Sequence, residues 1–465
     1  MGATKAITSA TLADWFARSL QQVFQPGARV CVGLSGGLDS VVLLHLLVGL
    51  RDSLNIHLSA IHVHHGLSRY ADDWRDFCVA LCQRWDIPCL VQPVMVLRGS
   101  GEGVEAAART ARYQIFTNIE TDYLVLAHHR DDQAETVLLQ LLRGAGVKGL
   151  AGMPALRSLV AGRSFLLRPL LDVERAVLLA WATEHRLQWV EDDSNTDVHY
   201  ARNFLRHRVL PLIDAHDPAW RTTLARSARH LADAAILMDE LAAQDGQGAW
   251  QENRLQCERL AELSPARARN LLRYFLAQQQ LTMPSEAQLA QIVQQLLHAR
   301  RDAAVDVRLG QANIRRFAGQ AWVVRRTNPP AVAARNAWEP LPLTFDRAAN
   351  GDATQKRVQE FVLPALSGVM RACVTSGQGV AETRLQHATI RLRQGGERFK
   401  PDDKRPARSL KYLWQEAGIP PWQRERWPLI YCGEELVCIP GIGVASDWQA
   451  QDGESGWLLE WLPAS

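Results

Sequence analysis

The chain is predicted to be α/β. An N-terminal parallel-sheet domain with helices on both faces is expected over residues 1–215, followed by a mainly helical domain with a strand-like tail over 216–345. A connecting region over 346–388 and a small mixed α/β domain over 389–465 complete it. Three observations predict this. From Val30 to about Gly144, short apolar runs of strand length alternate with longer amphipathic runs. After Pro211 the alternation fades into Arg- and Gln-rich helical spacing that lasts from His216 to Arg301. The length, 465 residues, exceeds what one core serves at roughly 100–200 residues per domain.

Taken in order, Val30–Leu34, Ile56–Val63, Cys89–Val94 and Tyr123–Ala127 read as strands, and Leu43–Leu50, Trp74–Trp85 and Val104–Ile119 as the helices between them. Strand–helix alternation implies crossover connections and a parallel sheet covered on both faces. A further helix is expected to carry Asp131, Asp132 and Glu135 in its first turn or so, with Val137, Leu138, Leu141 and Leu142 as its apolar face. Strand-like pieces (AAVDVRLG, NIRRFAGQAWVVRR) end the helical domain, and no internal repeat is present.

Composition narrows the class. Hydrophobic residues make up 47% and charged residues 22%, with a net charge of +3 from 52 basic and 49 acidic side chains, which suits a globular protein and leaves partners to local clusters. No apolar stretch approaches the roughly 18 residues of a membrane span. The first residues lack the apolar core of a secretion signal, so the eight cysteines are expected as thiols in the cytoplasm.

In open parallel sheets ligands bind at the carboxyl ends of the strands. The first strand is followed there by Ser35, Gly36, Gly37, Leu38, Asp39 and Ser40, and the fourth by His128, His129, Asp131, Asp132 and Glu135. Paired glycines let the backbone approach an oxyanion, while the two serines and the amides opening the next helix donate to it. The loop is neither a Walker nor a Rossmann loop, because no Gly-Lys-Ser/Thr and no G-x-G-x-x-G is present. It resembles the signature of the PP-loop ATP pyrophosphatases, which break ATP between its α and β phosphates to adenylate a substrate.

Asp39 would repel a polyanion unless a divalent cation sits between them, so it implies Mg²⁺; the plainer alternative is a carboxylate complementing a helix dipole. Asp132 and Glu135, three apart, share a helical face and form an acidic pocket suited to a metal or an amine. Of His128 and His129, one is expected to face the site and bond phosphate or move a proton. His62, His64 and His65 find no further ligands for a zinc site, and the chain has no Cys-x-x-Cys for cluster or persulfide chemistry.

SGGLDS, HHRDDQAET, LLRGAGVKGLAGM, LLRPLL and EDDSNTDVHYARNFLRHRVLP, in this order, resemble the tRNA(Ile)-lysidine synthetase family. The likeness returns in RLRQGGERFKPDDKRPARSLKYLWQEAGIPPWQRERWPLI near the end. It implies conversion of the wobble cytidine of the CAU-anticodon isoleucine tRNA to lysidine with ATP and lysine, through an adenylated base. It also implies an ATP site at Ser35–Ser40, lysine binding by Asp132 and Glu135, and catalytic roles for Asp39, Asp132 and His129. Arg109 and Arg112 are candidates for ATP or tRNA phosphate, Arg112 being assigned to ATP.

The polar run Glu191–Arg206 is expected to close the site on an extruded base through Asp193, Asn195, Asp197, Tyr200, Arg202, Asn203 and Arg206. Arg391, Arg393, Arg398, Lys400, Lys404, Arg405, Arg408 and Lys411 form a basic run with Phe399, Tyr412 and Trp414, expected to grip RNA backbone through Arg398, Lys400, Arg405 and Arg408. Rival readings are an RNA-thiolating enzyme, disfavoured for want of suitably spaced cysteines, an amidotransferase, which would need a glutaminase, and a non-catalytic RNA-binding protein. A homodimer is left open.

Overall fold

The computed structural model describes residues 7–66, 68–95, 104–160, 162–191, 198–199, 201–300, 303–326, 340–345, 357–385, 387–401 and 406–463, with side chains from residue 107 in the segment starting at 104. The chain divides into two compact units, Met1–Met238 and Asp239–Ser465.

The first unit runs α1 (Ser9–Leu20), β1 (Arg29–Gly33), α2 (Leu38–Leu50), β2 (His57–His64), α3 (Ala71–Arg84), β3 (Cys89–Pro93), α4 (Val104–Thr117), β4 (Tyr123–Val125), α5 (Arg130–Leu142), α6 (Val147–Leu150), β5 (Leu156–Val160), β6 (Ser164–Leu167) and α7 (Arg175–Glu184). Then come α8 (Ala201–Phe204), a π-helical turn (Leu205–Val209), α9 (Leu210–His216) and α10 (Trp220–Asp245), the last ending in the second unit. The sheet order is β3-β2-β1-β4-β6-β5, parallel throughout except for the antiparallel edge strand β5. The order reverses at β1, which opens the crevice between β1 and β4 where such sheets bind ligands. The four expected strands are present; β5 and β6 extend the sheet beyond them.

Helix α2 is apolar on every side because it is covered on every side. Val42, Leu43, Leu44 and Leu47 are fully buried in one core with Leu12 and Phe16 of α1 and Leu178 of α7. At roughly 1.5–3 kcal/mol for each fully buried leucine, this core anchors the helix whose N-terminus carries the Ser-Gly-Gly loop. The opposite sheet face buries Cys31, Ile61, Leu124 and Leu166 beneath Tyr113 and Phe116 of α4.

The expected apolar face of α5 is only partly correct. Val137 is buried and Leu138 packs against Leu205, Leu210 and Trp220, but Leu141 and Leu142 are 55% and 69% exposed. The helix buries Gln133, Ala134 and Glu135 instead, because its first turn points into the site and its last turn is left uncovered.

In the second unit, helices Cys257–Glu262, Pro265–Gln278 and Glu286–His298 pack on a five-stranded antiparallel sheet that includes the expected strands Asp306–Leu309, Ala312–Phe317 and Gln320–Arg325. The stretch 346–388 is not a simple connector: Val358–Leu363 and Gly368–Ser376 are antiparallel strands, and Ser455–Pro463 pairs with the second of them. These share a core with the strands and helices of 388–461 around Trp414 and Trp457. All eight cysteines are unbonded. Among the described residues, no helix is long and apolar enough to cross a membrane.

Candidate active site

The loop after β1 turns on Gly36, whose φ of +86° lies in the region open to glycine. A Cβ there would also meet Val190 Cγ2 at 2.9 Å and Cys78 Sγ at 3.1 Å. Ser35 and Ser40 hydroxyls lie 3.1 Å apart, the Gly37 N–H donates to Ser35 Oγ (3.3 Å), and Ser40 Oγ donates to the Gly37 carbonyl (2.9 Å). Gly37 is the N-cap of α2 and has no side chain to occupy the helix N-terminus, which leaves the first amides open to an anion. The neighbouring His62 donates from Nδ1 to the Leu34 carbonyl (2.9 Å), which holds the end of β1.

Asp39 and the α5 residues meet as the topology predicts. His129, the N-cap of α5, is 1% exposed, with Nε2 3.6 Å from Asp39 Oδ2 and 3.4 Å from Asp132 Oδ2, and Nδ1 3.6 Å from Asp131 Oδ2. Burial opposes a charge on this imidazole, but the carboxylates of Asp132, Asp131 and Asp39 outweigh it and raise its pKa to about 10. The adjacent His128 goes the other way: burial, with Arg168, Arg202 and Arg112 acting against Asp132, lowers it to about 3. The pKa values of the two neighbouring histidines are therefore pushed in opposite directions. Asp39 Oδ1 is shielded from solvent and has no hydrogen-bond partner; Arg175 Nε lies 3.9 Å from it. A shielded hard oxygen without a hydrogen bond, beside a phosphate loop, fits a Mg²⁺ ion.

The acidic pair Asp132 and Glu135 does share one face, but arginines occupy it. Glu135 is 2% exposed and accepts from Arg202 Nε at 2.6 Å and from Arg206 Nε and Nη2 at 2.8 and 2.9 Å. Arg202 Nη2 also donates to Asp132 Oδ1 at 2.7 Å. Both arginines come from the segment expected to face RNA; here they are directed at the carboxylates, and Asn203 is half-buried. Asp193, Asn195, Asp197 and Tyr200 lie outside the described residues. Asp131 is tied to Arg221 Nε at 2.7 Å and accepts from the Arg175 N–H at 3.0 Å.

Two residues inside the motifs HHRDDQAET and LLRPLL, given no role by the sequence reading, complete the frame. Gln133 accepts from the Met153 N–H (2.7 Å) and donates to the Met153 carbonyl (2.9 Å), clamping the glycine-rich turn after α6. Arg168, in the Leu-Leu-Arg-Pro stretch, is 3% exposed and donates from Nε to His128 Nδ1 at 3.3 Å. Arg112 is half-buried on α4.

In the second unit a two-stranded ribbon pairs Arg398 with Ser409 and Phe399 with Arg408; opposed residues share a face and neighbours alternate, so Arg408 lies on the side of the buried Phe399 and Arg398 on the other. The basic patch is smaller than the run of charges suggests, because Arg408 pairs with Glu416 and Arg391 with Glu434, each at 3.0 Å. Lys404 and Arg405 lie outside the described residues.

Family models match three segments: a PP-loop domain over residues 12–213, a TilS substrate binding domain over 255–322 and a TilS substrate C-terminal domain over 388–461. The parallel sheet, its glycine loop and the first match define an ATP-binding PP-loop protein. A tRNA(Ile)-lysidine synthase of Nitrosomonas europaea is 43% identical over 467 residues, covering 100% of this chain and 98% of that protein. Proteins of the same name from Chromobacterium violaceum and Coxiella burnetii are 42% and 38% identical, covering 93% and 94% of this chain and 95% and 94% of their own. The chain belongs to the tRNA(Ile)-lysidine synthase family.

Proposed function

We infer that the chain is a ligase that joins lysine to C2 of the wobble cytidine in the CAU-anticodon isoleucine tRNA, forming lysidine. The product pairs with A in place of G, so codon reading moves from AUG to AUA and amino-acid identity from methionine to isoleucine. The observation that carries this reading is the meeting of the Ser35–Ser40 loop with Asp39, His129 and Asp132 on one rim of a chain that matches its relatives along their whole length. We assign residues 1–215 to catalysis, and 216–345 and 389–465 to gripping the tRNA in the cytoplasm.

ATP lies with its phosphates on Ser35, Gly36, Gly37, Leu38 and Ser40, and Arg112 contributes a further charge. The cytidine O2 attacks the α phosphorus, the bond to the β phosphate breaks, and pyrophosphate leaves. The amine of lysine then attacks C2, gives up a proton, and expels AMP, so a poor oxygen leaving group is replaced by a good one. Asp39 would hold a Mg²⁺ ion, which supplies charge neutralisation for the departing pyrophosphate. His129, enclosed by three carboxylates, is a positioning residue that keeps the Asp39 and Asp132 carboxylates from repelling one another. Asp132 and Glu135 receive lysine by exchange: an amino acid brings one cation and one carboxylate, and can replace an internal arginine contact at each end without leaving a buried charge unpaired. Arg202, Asn203 and Arg206 then close over the wobble nucleotide, and Arg398, Lys400, Arg405 and Arg408 hold the tRNA body.

The test is transfer of labelled lysine to an unmodified CAU-anticodon isoleucine tRNA transcript with ATP and Mg²⁺, with methionine tRNA as control. Transfer to the isoleucine tRNA alone, lost in Asp39→Ala, is the expected result. Pyrophosphate and AMP release with no lysine in the RNA would overturn the choice of nucleophile.

A further inference from the structure

Beside the rim, three guanidinium groups gather around one tyrosine with no acid among them in the described residues. Arg109 of α4 and Arg157 of the edge strand β5 place their guanidinium carbons 5.3 and 5.2 Å from the ring centre of Tyr113. Arg168 Nη2 reaches the Tyr113 hydroxyl at 3.5 Å, and Nη1 donates to the Pro154 carbonyl at 2.8 Å. Arg109 and Arg157 are exposed, Tyr113 is half-buried, and Arg168 forms the floor at 3% exposure.

Other arginines of this unit show what is missing. Arg130, Arg202, Arg206 and Arg221 each rest on a carboxylate, whereas Arg109, Arg157 and Arg168 have no carboxylate partner among the described residues. A buried guanidinium without a counter-charge is costly, and like charges placed beside it raise that cost. Together they lower the pKa of the Tyr113 hydroxyl against the opposing effect of burial. An anion entering between Arg109 and Arg157 relieves all of this at once.

We propose that Arg109, Tyr113, Arg157 and Arg168 form a phosphodiester site for the RNA substrate, separate from the loop that takes the phosphates of ATP. This rests on the lysidine-forming reading above. The sheet order sets β5 three strands from β1, roughly 14 Å at the usual strand spacing, so a chain with a phosphate on every nucleotide is suited to fill both places. Arg168 also touches His128, next to His129; a phosphate held here lies beside the reacting nucleotide and fixes its approach.

The test uses the full chain with Arg109→Glu and Arg157→Glu, and Arg18→Glu on the exposed side of α1 as an equal change of charge. Binding of unmodified isoleucine tRNA is measured against salt, and KM is measured for tRNA, ATP and lysine. Each cluster variant is expected to raise the Kd for tRNA about tenfold near physiological salt and to lower the salt slope by roughly one unit, with KM for ATP unchanged. Slopes equal to that of Arg18→Glu overturn the site, and a rise in KM for ATP alone overturns its assignment to RNA. Binding is read without catalysis, so a native chain that binds tRNA but transfers no lysine counts against the proposed function and leaves this site standing.

Discussion

Replacing Glu135 with Gln keeps the shape of a buried side chain and removes the charge on which two arginines converge. Three charge-assisted hydrogen bonds end on this carboxylate, at 2.6, 2.8 and 2.9 Å. Breaking a buried pair costs roughly 3–5 kcal/mol. The arginine side chains are 23% and 35% exposed and Arg202 keeps Asp132 at 2.7 Å, so the lower end, about 3 kcal/mol, applies. For a unit of this size that lowers the apparent melting midpoint by about 6–12 °C. Differential scanning calorimetry reads the midpoint, and KM for lysine is measured at a temperature where both chains are folded. We expect the midpoint to fall and KM for lysine to rise while KM for ATP stays close to native. A midpoint within about 2 °C of native, with KM for lysine unchanged, would refute both the anchoring of Arg202 and Arg206 by Glu135 and its part in holding lysine.

Three other outcomes follow from the geometry. Gly36→Ala puts a side chain at φ +86° and 2.9 Å from Val190, a strain of about 1–2 kcal/mol, so KM for ATP should rise well above that of Gly37→Ala, whose Cβ meets nothing nearer than 3.5 Å; equal effects would count against the role of the turn. Burial favours the neutral form of Asp131, yet His129, the Arg175 amide and Arg221 hold its pKa well below the usual carboxylate range. Its contribution is therefore complete above the unfolded value near pH ~4 and lost as pH falls through the folded value. The melting difference between native and Asp131→Asn should accordingly narrow below about pH 4, and a difference that stays constant to lower pH would contradict the ion pairs. Charge reversal at Arg398 and Arg408 together should raise KM for tRNA with little change for ATP or lysine; a uniform effect on all three substrates would argue against a separate RNA grip.

Local signals made much of the catalytic half readable from the chain. Four strands and their helices show as runs of the right period, because side-chain alternation is set by backbone geometry wherever a face is buried. The two site segments were placed on one rim because the strands of a parallel sheet all have their carboxyl ends on the same side. The outer edge was less legible: β5 and β6 are short and lie next to a turn. Val358–Leu363 and Gly368–Ser376 lie in a stretch read as connector, and become strands by pairing with one another and with Ser455–Pro463, about eighty residues away from the second.

The residue types proposed for the chemistry, Ser35 to Ser40, Asp39, His129, Asp132 and Glu135, were determined by the sequence alone, since glycine conformation and carboxylate charge belong to the residue wherever it folds. Which charges meet was decided by the tertiary structure. Nothing in the spacing from Glu135 to Arg202 says that a buried acid will take two arginines as partners, that the pKa values of His128 and His129 will be pushed in opposite directions, or that Arg168 will be buried beside Tyr113 with no carboxylate partner among the described residues. Those depend on distance and burial, and electrostatic energies change severalfold between solvent and interior, so the same residue types become a pair, a switch in protonation or an open anion site only when the fold brings them together.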